Sequence, residues 1–170
     1  MTTWRYTDPA HTLVTNDAGT FVPADPSNNT FAALDPAQIL PFAAPAPTSA
    51  YVDAERDRRM LSFTYGGKAY QLDDVSQQRI IAATTRAILT LGAGGAPAAA
   101  GNLRWFDPAT DFGWIASDNS VAPLDAQGMA AFGGAVQGWV YRHIVAARAI
   151  KDLDPIPTDF ADDSRWPAVS

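Results

Sequence analysis

Apolar and polar positions follow three different rhythms along the 170 residues, and each predicts a different kind of element. Near the start, Thr12-Leu13-Val14-Thr15 and Thr20-Phe21-Val22-Pro23 are β-prone runs on either side of Asn16-Asp17-Ala18-Gly19, a turn signal, so a short hairpin is expected there. Pro23 ends its second strand because it has no N–H to give a ladder. Such a hairpin is marginal in water by itself, which predicts that it leans on the domain or on a partner. From Asp35 to Ser49 the rhythm is lost: Pro36, Pro41, Pro45 and Pro47 fix φ and favour an extended, semi-rigid linker.

A helical period then takes over. The spacing of Tyr51, Ala54, Arg58 and Leu61 predicts a helix over 50–60, capped by Thr48 or Ser49. Leu61 to Leu72 alternates on both sides of Gly66-Gly67, the pair a type I′ turn prefers, and is the strongest hairpin signal in the chain. Asp74, three residues before Gln77, resembles a capping box, and Ile81, Thr84, Ile88 and Leu91 mark one face of a second helix over about 75–91, stopped by Gly92. The Ala/Gly stretch 93–101 has no side chain to anchor it and reads as a mobile surface loop. Leu103-Arg104-Trp105-Phe106 and Phe112-Gly113-Trp114-Ile115 flank a turn and read as a second hairpin with an aromatic face. Asp125 opens a long helix whose stripe is Met129, Phe132, Val136, Trp139 or Val140, His143, Ala147 and Ile150, ending near Leu153-Asp154-Pro155. The expected class is α+β: helix, β-hairpin, helix, β-hairpin and long helix, with extended N- and C-terminal arms.

Charge sharpens the boundaries. Residues 49–151 hold ten basic and nine acidic side chains, whereas the segments on either side are acidic, with Arg5 against four Asp and Arg165 against five. The expected organisation is therefore an N-terminal β-hairpin arm over 1–34, a Pro/Ala-rich linker over 35–48, an α+β domain over 49–151 and an acidic tail over 152–170. A net charge of −6 with no basic run longer than Arg58-Arg59 argues against nucleic acid as a partner. No apolar stretch approaches the roughly 18–20 residues of a membrane span, and the first 30 residues lack the pattern of an export signal. The absence of cysteine removes disulfides, thiolate metal sites and thiol nucleophiles together.

The inventory of candidate chemistry is short. His143 falls on the apolar stripe of the last helix, where a satisfied core histidine is the expected reading, and His11 lies far from it in sequence, so no metal ligand set emerges. The Gly-rich loop at 93–101 lacks the Lys and Ser/Thr of a phosphate-binding loop and follows a helix rather than a strand. Asp53, Glu55 and Asp57 do not converge on a helix, and with Arg56, Arg58 and Arg59 they read as a solvated ionic face. Trp105, Phe106, Phe112 and Trp114 offer rings on which a sugar can stack, although strand alternation turns half of them inward and favours a core role. No catalytic, cofactor-binding or metal-binding residue is assigned, and the expectation is a protein that is not an enzyme. The candidate interface residues are Phe21, Val22 and Phe31, in an arm too short to bury them, together with Gly134 and Gly138. These two share a face of the last helix, where either the domain's own helices or a neighbouring copy can approach closely.

Residues 51–91, from Tyr51-Val52-Asp53-Ala54-Glu55-Arg56 through Phe63-Thr64-Tyr65-Gly66-Gly67-Lys68-Ala69-Tyr70-Gln71-Leu72 to Ser76-Gln77-Gln78-Arg79-Ile80, resemble the opening of a domain of unknown function that recurs in bacteriophage tail and tail-fibre proteins. Trp105, the Trp114 strand, Leu124-Asp125 and the helix to Ile150 fit the remainder of that domain. Gly19-Thr20-Phe21-Val22-Pro23-Ala24-Asp25-Pro26-Ser27-Asn28 is similar to a short phage-tail segment that commonly precedes it. The Ala/Gly-expanded loop at 94–101 departs from the family pattern. The resemblance implies a structural virion protein of the tail, made in the bacterial host cytoplasm, that forms homo-oligomers and joins other phage tail proteins. A tail-fibre assembly chaperone and a carbohydrate-binding receptor module, with a host surface glycan as ligand, remain the alternatives. The family brings no catalytic residues to carry over.

Overall fold

In a computed structural model that describes residues 2–168, contacts divide the chain into two units, Met1–Ala46 and Pro47–Ser170. In the first, the expected hairpin forms: β2 (Leu13–Asn16) and β3 (Phe21–Pro23), taken in order after β1 (Trp4–Tyr6), pair antiparallel with Val14 opposite Val22. Asn16 closes the turn by accepting from the Ala18 and Thr20 N–H groups. The hairpin is part of a larger sheet. β1 pairs antiparallel with β2, and β4 (Ile39–Leu40) pairs parallel with β1, giving the order β3-β2-β1-β4. Val14, Val22 and Ile39 are buried together, with Trp4, Tyr6, Phe31 and Leu34 packed against them.

Two expectations change. The 1–34 segment is more than a two-stranded arm, and the stretch read as linker supplies a strand. Asp35 accepts from the Ala37 N–H and starts a 3-10 turn over Pro36–Gln38 that delivers Ile39 opposite Trp4. Two residues carry no alternation, which is why pattern alone missed the pairing. The interface candidates divide accordingly. Val22 is buried and Phe31, within the short helix α1 (Asn29–Ala32), is half-buried in this core, while Phe21 is 63% exposed on the edge strand.

The second unit is α+β, in the expected chain order as far as its helices and first hairpin go. α2 (Ser49–Met60) leads into the hairpin β5 (Ser62–Tyr65) and β6 (Lys68–Gln71), where Gly66 and Gly67 both take the positive φ, 57° and 76°, that a type I′ turn requires. α3 (Asp74–Ala93) follows, capped by Asp73 rather than Asp74 through the Ser76 N–H. α4 (Ala126–Lys151) is capped by Asp125, which accepts from the Gly128 N–H. The α4 stripe is buried as its spacing predicts, with Phe132 packed among Phe63, Tyr65, Tyr70 and Trp114.

The buried face of α3 lies one residue away from the expected one. Ile80, Ala83, Ala87 and Thr90 are buried, whereas Ile81 and Ile88 are 49% and 57% exposed. The two long helices approach closely at Gly133, where a Cβ would lie 2.6 Å from Thr84 Cγ2 and 2.8 Å from Thr84 Cβ. Gly133 thus carries the tight packing that Gly134 and Gly138 were candidates for. A Cβ on Gly134 would meet nothing within 4 Å, and one on Gly138 only Arg142 of the same helix. Tyr51 and Leu61 are likewise exposed, and Val52 is the buried residue of α2.

Three further segments depart from the sequence reading. Leu103–Trp105 forms a 3-10 turn, and the second hairpin pairs β7 (Gly113–Ile115) with β8 (Val121–Pro123), because the Trp105 indole is drawn inward to donate to the Leu124 carbonyl. The 94–101 loop is anchored from outside itself: Asn102 donates to the Ala96 carbonyl, Gln127 to the Ala98 carbonyl, and the Asp125 carboxylate accepts from the Gly101 N–H. The acidic tail folds back. Trp166 is buried with Val52, Ala147 and Ile150, and its indole donates to the Phe160 carbonyl. Arg59 lies 5.2 Å over that ring and bonds the Ala161 carbonyl and Asp163, so the tail is not an extended arm over the described residues.

Candidate functional site

Strand alternation and helix spacing together build one open groove in the second unit. Trp114 sits at the centre of β7, opposite Ala122 of β8. Gly113 beside it lets the strands close: a Cβ there would lie 3.0 Å from the Ala122 carbonyl oxygen and run into Val121. The Ser117 N–H donates to the Ala69 carbonyl at 2.8 Å and Lys68 Nζ to Ser120 Oγ at 2.6 Å, tying this hairpin to the first. The Phe112 N–H donates to the Leu103 carbonyl at 2.7 Å, which places Phe112 between Trp114 and Phe106. Ring centroids then run from Phe106 to Phe112 at 5.3 Å and from Phe112 to Trp114 at 6.4 Å. Phe106 is 48% exposed and the other two rings are half-buried.

Across from these rings stands α3. Arg79 and Arg86 are seven residues apart, two turns and about 10 Å along one helix face, with Ala82 and Ala83 as a low floor between them. The groove consists of two adjoining depressions of about 390 and 610 Å³ that share Arg79, Phe112 and Trp114. Gln71, Ser117 and Asn119 line the first, adding amide and hydroxyl groups. Neither arginine joins an ion pair among the described residues. The Ser76 hydrogen bonds, with the Arg79 charge adding to them, hold the Asp73 carboxyl below its usual range. The arrangement combines aromatic faces, two free guanidiniums and polar groups at a rim.

The other sequence candidates have structural partners. Asp53 pairs with Arg56 at 2.6 Å and with Lys151 of α4 at 2.7 Å, and the Lys151 hydrogen bond keeps its carboxyl below the ordinary range. Glu55 is held by Arg58 and Arg59 at 2.6 and 2.7 Å, again with a lowered pKa, and Asp57 pairs with Arg56. Glu55 and Arg59 are each only 12% exposed, so the cluster is a partly buried clasp rather than the solvated face expected. Arg58 and Arg59 also border a cavity of about 290 Å³ with Ser62, Thr64, Trp139 and His143.

His143 is a buried core residue. Its Nδ1 lies 3.0 Å from the Trp139 carbonyl, which can only accept, so the proton sits on Nδ1. Burial depresses its pKa, with Arg59 and Arg142 adding to the effect. Trp139 Nε1 nearby is a buried donor without a hydrogen-bond partner among the described residues. His11 stacks on Tyr6 in the first unit at a centroid distance of 4.0 Å. Among the described residues no group of three or more His, Asp or Glu is placed to hold a metal ion, and no helix is long and apolar enough to cross a membrane.

Sequence reasoning identified Trp105, Phe106, Phe112 and Trp114 as one set, which the structure divides: Trp105 is core and the other three line the groove. It missed Arg79 and Arg86. Their i, i+7 spacing beside exposed apolar positions was the available signal, obscured because the buried face of α3 was assigned one residue off.

The family described as a domain of unknown function (DUF4376) matches residues 43–164. No curated protein and no solved structure matches the chain.

Proposed function

We propose that this chain, which belongs to the DUF4376 family, is a non-enzymatic structural protein of a bacteriophage tail or tail fibre, made in the host cytoplasm and carried in the virion, where it joins copies of itself or neighbouring tail proteins. The observation that supports the reading is the agreement between two resemblances and two units. The tail-like segment Gly19–Asn28 falls within Met1–Ala46, and the tail-domain segment falls within Pro47–Ser170. Phe21, exposed on the edge strand β3, and the open strip Gly134, Gly138, Tyr141 and Val145 on α4 are the surfaces through which assembly would proceed. An edge strand offers unpaired main-chain groups to a partner.

Mass spectrometry of purified particles tests the reading. Stoichiometric presence is the expected result; presence in the infected-cell lysate with absence from particles would replace it with the assembly-chaperone alternative. A receptor-binding reading has its own support in the groove of Phe106, Phe112 and Trp114.

A further inference from the structure

We propose that the groove between α3 and the β7–β8 hairpin binds an acidic saccharide, a pyranose chain bearing carboxylates. This goes beyond the virion assignment and stands or falls separately from it.

Three observations converge on that ligand. First, Phe106, Phe112 and Trp114 form a stepped row of rings that turns partly to solvent, although each is large enough to stabilise the core if buried. A ring with an open face packs against the C–H face of a sugar while leaving the sugar hydroxyls outward. Second, Arg79 and Arg86 have no ion-pair partner among the described residues of a protein of net charge −6, where carboxylates outnumber bases and most of the other arginines have one. A planar guanidinium is suited to bidentate recognition of a carboxylate, and two of them borne on helix positions about 10 Å apart can address more than one unit of a chain. Third, Gln71, Ser117 and Asn119 place amide and hydroxyl groups around the same depression, where ring hydroxyls need partners. A neutral sugar would leave the guanidiniums unused, and a purely apolar partner would leave the polar rim unsatisfied.

Calorimetric titration of the full chain with a short oligogalacturonate, and with the same oligomer as its methyl ester, tests the proposal. The acid should bind, with the uncharged ester weaker by about tenfold or more. Arg79→Gln and Arg86→Gln should each cost a similar factor without altering the fold. Trp114 also contacts Phe132, so Phe106→Ala is the safer probe of stacking and should weaken binding by about two- to tenfold. Absence of binding, equal binding of acid and ester, or full affinity in either arginine variant would overturn the proposal. So would full affinity in Phe106→Ala, or equally tight binding of an acidic peptide or a single-stranded oligonucleotide, since either would reduce the groove to a generic anion surface.

Discussion

Trp114 belongs to two aromatic clusters with opposite surroundings. Toward Phe132, at 6.1 Å, it joins Phe63, Tyr65 and Tyr70, whose centroids stand 4.8 to 6.4 Å from that ring. Toward Phe112 and Phe106 the same chain of ring contacts continues at similar spacing, but it ends in solvent facing two arginines. Ring-to-ring distance is therefore the same on both sides, and what differs is whether the remaining face of each ring is covered. In the closed cluster burial stabilises the fold; in the open one Phe112 and Trp114 bury only part of their surface against the same core, and the exposed part is left for a ligand.

The comparison predicts a large asymmetry in stability. Phe132→Ala should destabilise the protein by about 3–5 kcal/mol in denaturant titration, through lost transfer energy and the cavity left behind, whereas Phe106→Ala, which removes a half-exposed ring resting on Trp105 and Phe112, should cost about 1 kcal/mol. Equal losses would mean that both clusters are core. The two adjacent glycines of α4 give the next contrast. Gly133→Leu should cost about 1–3 kcal/mol or more by driving into Thr84, while Gly134→Leu should leave the monomer's circular dichroism and midpoint near native and act on assembly alone.

A smaller effect belongs to His143. Its folded pKa is depressed by burial, so the unfolded chain binds the proton more readily. Stability should accordingly rise with pH below about 6.5 and level off above it. Urea midpoints at several pH values check this, and His143→Gln should remove that part of the slope. An unchanged slope in the variant would mean that the imidazole is not held neutral by its surroundings.

Much of the second unit was legible because its signals are local. Gly66-Gly67 dictates a turn type, and the α4 stripe from Met129 to Ile150 is a period that only a helix satisfies. The misread features depend on partners distant in sequence. The buried face of α3 depends on how that helix seats on α4: Thr84 meets Gly133, and Ile80, Ala83 and Ala87 are buried while Ile81 and Ile88 stay exposed. The partner of β7 depends on where the Trp105 indole finds its acceptor, and the fate of the tail depends on Arg59 and Val52 reaching Trp166. The candidate site shares that dependence. Its rings were visible in the sequence as a set, but which of them face outward, and that Arg79 and Arg86 stand opposite, follow only from packing.

The contrast between the closed and open clusters is tested most directly by the indole N–H resonances of the five tryptophans during titration with the oligogalacturonate. Trp166 donates to the Phe160 carbonyl and Trp139 is buried against Phe63 and His143, so these two serve as internal references. The predicted result is a saturable shift of Trp114 with Trp139 and Trp166 unmoved. A titration in which Trp114 stays fixed, or in which Trp139 and Trp166 move as far as it does, would contradict the account.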